Sequence, residues 1–201
     1  MISADLHNHT TYSIDSITSP RVLVEQLTIH AKIKVAAITD HNNIRGIEET
    51  QRLASTYKDV LIIPGVEIST TQGDLLILGT EVLPPEPWNV ENLVDFAKDN
   101  DCLSIAAHPY REFGLGDFAA NFGIDAIEVL NGASSAQANK LARKLARSAM
   151  IPGVAGSDSH RPSDLFSVHT KVDASLNVDD IITAIKKGKV STVTNNRSIH
   201  F

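Results

Sequence analysis

Cysteine is nearly absent: Cys102 is the single thiol in 201 residues. One thiol cannot close an internal disulfide, so a disulfide scaffold is excluded and a cytoplasmic setting is expected. No apolar run approaches membrane-spanning length, so no membrane partner is expected. The N-terminus lacks a basic stretch followed by an apolar one, which argues against a secretory leader. No glycine-rich dinucleotide loop follows the first apolar segment, and there is no Walker A motif. G-x-S-x-G is also missing, so the GSDS at 156–159 does not make a serine nucleophile turn. Excess positive charge is lacking too. A net charge of -6 disfavours long nucleic acid as a partner. It leaves a phosphate compound open, because bound cations can supply local positive charge.

What remains is an ordinary globular composition, 42% hydrophobic and 21% charged, expected to form one domain over residues 1–201. The opening stretch, MISADLHNHTTYSID, runs from apolar Ile2, Ala4 and Leu6 into Asp5, His7, His9 and Asp15. Residues two apart in an extended chain share a face, so His7 and His9 can aim both imidazoles at one spot. Imidazole suits zinc, iron or manganese better than magnesium or calcium.

Apolar runs then alternate with helical patterns. Ser19 and Pro20 read as the N-cap and first residue of a helix reaching about Ile33. Strands are expected at 35–39, 60–63, 66–68, 75–79, 103–107, 125–131, 152–156 and near 167–172 and 189–194. Helices are expected at about 44–56, after Asn89, over 138–149 with Ala138, Leu141, Ala142, Leu145 and Ala149 buried, and after Asn177 with Asp180 at the reciprocal capping position. Alternation of this kind predicts βα units with mainly parallel strands. Ligand-type residues follow the strands: His7 and His9, Asp40 and His41, Glu67, His108, Asp158 and His160. Such placement at strand ends fits a barrel-like α/β domain, with an open doubly wound sheet as the second reading.

DLHNHTTYSID, TDHN, PGVEIS, AHPYR and GSDSH, in this order, resemble the polymerase and histidinol phosphatase (PHP) family over nearly the whole chain. The resemblance implies a distorted seven-stranded (βα)7 barrel, two or three divalent ions (zinc, manganese or iron) at the strand ends, and phosphoester hydrolysis. It implies His7, His9 and Asp158 as ligands of a first ion, and Glu67 as a bridge. It implies Asp15, His41 and His160 as ligands of a second ion and His108 of a third. Asp40 reads equally as a residue orienting a ligand or as a helix cap ahead of Ile44. The family often carries a further histidine in the strand after the bridging glutamate. Here that place holds Leu76 or Ile77, which leaves the third ion in question.

Arg111 and Arg161 each follow a ligand-type histidine closely, and a guanidinium can grip two phosphate oxygens at once. Arg45 is a weaker third candidate. The expected partner is a phosphorylated small molecule or a nucleotide. Two other functions stay open: a metal-dependent amidohydrolase-like enzyme, and a non-catalytic metal-binding interaction domain.

Overall fold

The structure is a computed structural model and describes residues 1–194. Its strands are β1 (Ile2–Asp5), β2 (Val35–Ala37), β3 (Leu61–Ile63), β4 (Gly65–Ser69), β5 (Asp74–Leu78), β6 (Leu103–Ala106), β7 (Ala126–Asn131), β8 (Gly153–Gly156), β9 (Val168–Val172) and β10 (Val190–Thr194). Its α-helices are α1 (Pro20–Ile29), α2 (Arg45–Ala54), α3 (Val90–Asp99), α4 (Ala136–Ala149) and α5 (Val178–Lys186), with a 3-10 turn at Gly116–Ala120. No helix among the described residues is long and apolar enough to cross a membrane.

The expected closed seven-stranded barrel is not what forms. The strands make two open sheets of five, in the orders β10-β9-β1-β2-β3 and β4-β5-β6-β7-β8. Both are of mixed direction: β9 is antiparallel to β1 and β10, and β5 is antiparallel to β4 and β6. The ladder fails to close for local reasons. β3 and β4 are successive lengths of one chain broken at Pro64, which has no N–H to give, and beyond the break the chain after β2 meets β4 only at the isolated bridge His41–Glu67. Between β8 and β9, side-chain hydroxyls stand in for backbone pairing. Ala155 N–H donates to Thr170 Oγ1 at 2.7 Å, and the same hydroxyl donates to Ala155 O at 3.0 Å. Ser157 Oγ donates to Val168 O at 3.3 Å.

Alternation along the strands sorts side chains into an inner core and two outer ones. Leu76 and Leu78 face inward with Leu6, Ala37, Ile63, Ile105 and Val154. Leu75 and Ile77 face outward against Val90, Leu93, Val94 and Ala97 of α3. On the other sheet, Leu23 and Leu27 of α1 and Ile47 of α2 cover Ala36, Ile38 and Ile62. Helix α5 brings Ile181, Ile182 and Ile185 into the inner core. A Cβ at Gly79 would lie 2.5 Å from Ile182 Cδ1, so α5 packs where β5 ends and β6 is about to begin. That is the end opposite the ligand-type residues.

Three helices depart from expectation. Helix α1 stops at Ile29, because His30 Nδ1 accepts from Ile33 N–H at 2.8 Å and Lys32 N–H at 3.2 Å and turns the chain. Helix α4 is rotated about its axis. It buries Asn139, Ala142 and Ala146, while Leu141 is exposed. The cause is polar: Asn139 Oδ1 accepts from Asn131 N–H at 2.9 Å and its Nδ2 donates to Asn131 O at 3.0 Å. On α5, Asn177 Oδ1 accepts from Asp179 and Asp180 N–H at 2.9 and 3.2 Å. Asp180 does not reciprocate, since its carboxylate accepts from Ser175 Oγ instead.

His169 on β9 is buried, and neither ring nitrogen has a hydrogen-bond partner among the described residues. Burial, with Lys171, His30 and Lys32 nearby, lowers its pKa from 6.5 to about 4. The unfolded chain therefore takes up a proton in this interval and the folded chain does not. Stability contributed by the neutral ring is full above about 6.5 and is lost as pH falls toward about 4. In His169→Leu, the drop in urea midpoint between pH 7 and pH 4.5 should shrink. An identical drop in both proteins would show that acid sensitivity lies elsewhere.

Candidate metal centre

The centre is built where β1, β2, β6 and β8 hand over to their loops, with one residue supplied from within β4. His7 and His9 follow β1, and both are completely buried. Their Nε2 atoms are 3.1 Å apart. Glu67, in β4, lies under both: its Oε2 is 3.1 Å from His7 Nε2 and 3.2 Å from His9 Nε2. The same oxygen is 3.3 Å from His41 Nδ1, and Oε1 is 3.0 Å from His108 Nε2. Asp158 Oδ1 lies 3.3 Å from His9 Nε2 and 3.5 Å from His7 Nε2. Asp15 Oδ2 is 3.3 Å from His41 Nε2 and 3.1 Å from His160 Nε2. All eight residues expected as ligands thus meet in one place.

Four groupings place potential donor atoms within 4.8 Å of one another: His9, His41 and His160; His7, His108 and Asp158; His7, His9 and Glu67; and Glu67, Asp74 and His108. The donor set fits divalent ions. Imidazole nitrogens and carboxylate oxygens converge here without enough protein donors to satisfy them. Buried Asp74 Oδ1 and His108 Nδ1 have no hydrogen-bond partner among the described residues.

Electrostatics show how tightly these groups are coupled. Burial opposes a charged His7, but the carboxylates of Asp158, Glu67 and Glu128 outweigh it and raise its pKa well above 6.5. Against the same burial, Asp158 and Glu67 raise His9 to about 9. Glu67 and Asp158 are held well below the carboxylate range despite burial, chiefly by charge on His7. Asp74 goes the other way, raised to about 6 by burial and by the charge on Glu67. Loading such a centre with metal must displace protons from its imidazoles.

Backbone strain gathers at the same place. Asn42, His108, Phe113 and Asp158 have φ of 51°, 26°, 63° and 51°, a region that side chains disfavour and that recurs at functional sites. His108 N–H donates to Glu128 Oε2 at 2.8 Å, and Asp158 N–H to His7 O at 2.8 Å. These bonds help hold the strained residues in position.

Asp40 is buried and belongs to none of these groupings. It accepts from Thr10 N–H at 2.6 Å, Thr10 Oγ1 at 2.7 Å and Ser13 Oγ at 3.0 Å. Ser13 Oγ in turn lies 3.2 Å from His9 Nδ1, so Asp40 reaches His9 through Ser13. It caps no helix: α2 starts at Arg45 after Ile44, without a side-chain cap. Arg111 Nη1 donates to Asp158, inside the site. Arg161 is exposed and does not line the cavity above the centre, and Arg45 is exposed with its Nε on Asn43.

Four residues outside the expected set belong to the arrangement. Asp74 opens β5 with its Oδ2 3.9 Å from His108 Nε2, in the same strand as Leu76 and Ile77. Glu128 Oε1 lies 3.1 Å from His7 Nδ1 and orients that ring. Asn131 Nδ2 donates to Glu128 Oε2 at 2.9 Å and to Asp158 Oδ2 at 3.1 Å. Asp5, raised to about 6 by burial, accepts from Ser157 N–H at 2.8 Å and ties the loop after β8 to β1. A lone acid inside an apolar strand was the available signal for Glu128.

An interlocked set of imidazoles and carboxylates at one end of two mixed sheets defines a class of protein able to coordinate divalent ions. Within it, the chain belongs to the PHP domain family, whose signature covers residues 5–108, and a PHP-associated region covers residues 136–190. An uncharacterized protein of Methanocaldococcus jannaschii is 35% identical over 142 residues, 65% of this chain and 82% of the relative. A 5'-3' exoribonuclease of Haemophilus influenzae is 41% identical over 66 residues, 33% of this chain but only 23% of that protein. The crystal structure of PsfC from Pseudomonas syringae is similar with a TM-score of 0.72, at 18% identity, covering 98% of this chain and 93% of that one.

Proposed function

We propose that this protein is a metal-dependent phosphoesterase acting on a small-molecule or nucleotide phosphoester. The observation that carries the reading is the entry of Arg111 into the same cavity as the clustered ligands. A cavity of about 520 Å³ is lined by Asp15, His41, Asp74, His108, Asp158 and His160 together with Arg111. A guanidinium beside cation-binding carboxylates suits a group that is itself anionic and bidentate.

In this reading His7, His9, Glu67 and Asp158 would hold one ion and Asp15, His41 and His160 another. Glu67, Asp74 and His108 offer a third position, richer in oxygen. Divalent ions held there supply Lewis acidity and make water a usable nucleophile near neutral pH. The chain's own residues do the positioning. Arg111 is drawn off Asp158 onto the phosphoryl oxygens. Glu128 fixes the tautomer of His7 by accepting a hydrogen bond from its Nδ1–H, an orienting role that outer carboxylates commonly play. Asn131 keeps Asp158 aimed inward while Arg111 is engaged elsewhere. No lysine lines the cavity among the described residues, which weighs against an amide hydrolase built on a carbamylated lysine.

The test is elemental analysis of the purified protein, followed by assays on phosphomonoesters and phosphodiesters after loading with manganese, zinc or iron. Metal-dependent release of phosphate or alcohol is the expected result. A metal-loaded protein inert toward both ester classes would overturn the reading. Arg111→Ala should raise KM about tenfold or more, the usual weight of hydrogen bonds to a charged group, and Arg111→Lys should recover part of it. Unchanged KM in Arg111→Ala would take this residue out of phosphate binding.

A further inference from the structure

The chain carries a net charge of -6, yet its cations are not spread evenly. Helix α4 holds Lys140, Arg143, Lys144 and Arg147 and no acid. Spacings of three and four residues set these cations along one face, where like charges repel. The ion pairs that lysine and arginine make among the described residues lie elsewhere, at Arg21, Lys34, Lys98, Arg111 and Lys186. The basic stripe therefore has no anion of its own to answer it. Helix α3 is the converse. Glu91, Asp95 and Asp99 follow at intervals of one turn and all are exposed, with a single cation on the helix, Lys98, at 3.8 Å from Asp95. At 1.5 Å per residue the acidic stripe is about 12 Å long, and the basic one, from Lys140 to Arg147, about 10.5 Å.

The two helices share one side of the molecule. Val90, Leu93, Val94 and Ala97 of α3 enter the same outer core over β4 to β8 as Ala142 and Ala146 of α4. The chain from Gly116 to Gly123 lies between them. Ala119 joins that core, Asp117 shares a cleft with Leu141 and Lys144, and a Cβ at Gly123 would stand 3.6 Å from Lys98 Nζ. On this bridge Phe118 is 67% exposed, and Leu141 of α4 is exposed as well. Across the face the order is acid, apolar, base.

We infer that this face is a self-complementary interface between two copies of the chain. A two-fold axis lying in the face, between the helices, sets α4 of one copy on α3 of its partner, and the same operation sets α3 on the partner's α4. Both stripes are answered in one closed dimer, and Phe118 lies near the axis. Exposed ion pairs contribute little each. Here they fix register and exclude other pairings, while burial of Phe118 and Leu141 supplies the apolar attraction. A nucleic acid or an acidic protein would answer α4 alone and be repelled by α3. None of these residues lines the cavity at the metal centre, and the dimer stands or falls apart from the phosphoester reading.

The experiment is sedimentation equilibrium of the full chain. The wild-type protein should be a dimer at about 100 µM, above the micromolar dissociation constants of weak interfaces. Raising salt from about 0.1 M to about 1 M shortens the Debye length from about 10 Å to about 3 Å, and the dissociation constant should rise about tenfold. Lys144→Glu with Arg147→Glu should leave a monomer, and so should Asp95→Lys with Asp99→Lys. Mixed in equal amounts, the two variants should form a heterodimer, because one is then acidic on both helices and the other basic on both. Phe118→Ala should weaken the wild-type dimer about tenfold, the loss of one buried aromatic anchor. Urea midpoints equal to that of the wild type check that the variants fold. A wild-type chain that stays monomeric at this concentration overturns the inference. So does a dimer that survives both charge reversals, or a mixture of the two variants that fails to associate. A wild-type monomer that holds oligouridylate, and loses it in Lys144→Glu with Arg147→Glu, gives the basic stripe to nucleic acid and overturns the inference as well.

Discussion

Glu67→Gln is expected to strip metal from the protein and to cut turnover by about a thousandfold, since loss of Lewis-acid stabilisation is worth several kcal/mol. Glu67 touches four imidazoles, His7, His9, His41 and His108, through its two oxygens. No other carboxylate among the described residues comes within 4 Å of four of the clustered imidazoles; Asp158 reaches three. The amide keeps the volume but removes the charge that holds these rings and would bridge ions. Elemental analysis gives the first readout, and turnover in the phosphoester assays of the proposed function gives the second. Full metal content with full turnover would show that Glu67 is not central.

The second large effect is mechanical. Gly156→Ala would set a Cβ 2.3 Å from His7 Cβ and 2.8 Å from Glu128 Oε1. Neither neighbour can retreat, because His7 is fully buried and Glu128 is held by Asn131. Overpacking of this kind costs about 3 kcal/mol, and here it also pushes His7 out of line. The urea midpoint should fall and metal affinity should fall with it. Gly116→Ala is the contrast: nothing lies within 4 Å of its Cβ, and only its φ of 56° resists the change, at a cost of about 1 kcal/mol. Equal midpoints for the two variants would mean that the contact at Gly156 is looser than drawn.

Much of the centre was legible because imidazoles and acids follow apolar runs at His7, His9, His41, His108, Asp158 and His160. That rule assumes strands that all run toward the centre, and it fails for β5. This strand runs antiparallel to its neighbours, so its first residue, Asp74, meets the ligands and its last does not. The family resemblance points there to Leu76 or Ile77, in mid-strand, and not to the acid that opens the strand. Glu128 was hidden for another reason: it lies mid-strand, beside an irregularity in the pairing of β7 with β8. An open sheet was the second reading, but the split into two sheets of mixed direction was invisible, since hydrophobic alternation reports which face is buried and not which neighbour supplies the backbone bonds. Thr170 and Ser157, whose hydroxyls take over between β8 and β9, look like ordinary strand polar residues.

Outside the named strands, only two isolated backbone bridges occur among the described residues, Asn8 with Ser159 and His41 with Glu67. Each ties one sheet to the other, and each involves one of the clustered residues or its chain neighbour. Cations gathered between them would act as a clasp on a hinged shell, because His7, His9 and His41 come from one half and Glu67, His108 and Asp158 from the other. Emptying the clasp should let the halves breathe, with amide exchange quickening first at Asn8, His41 and Ser159 and only later in the helices.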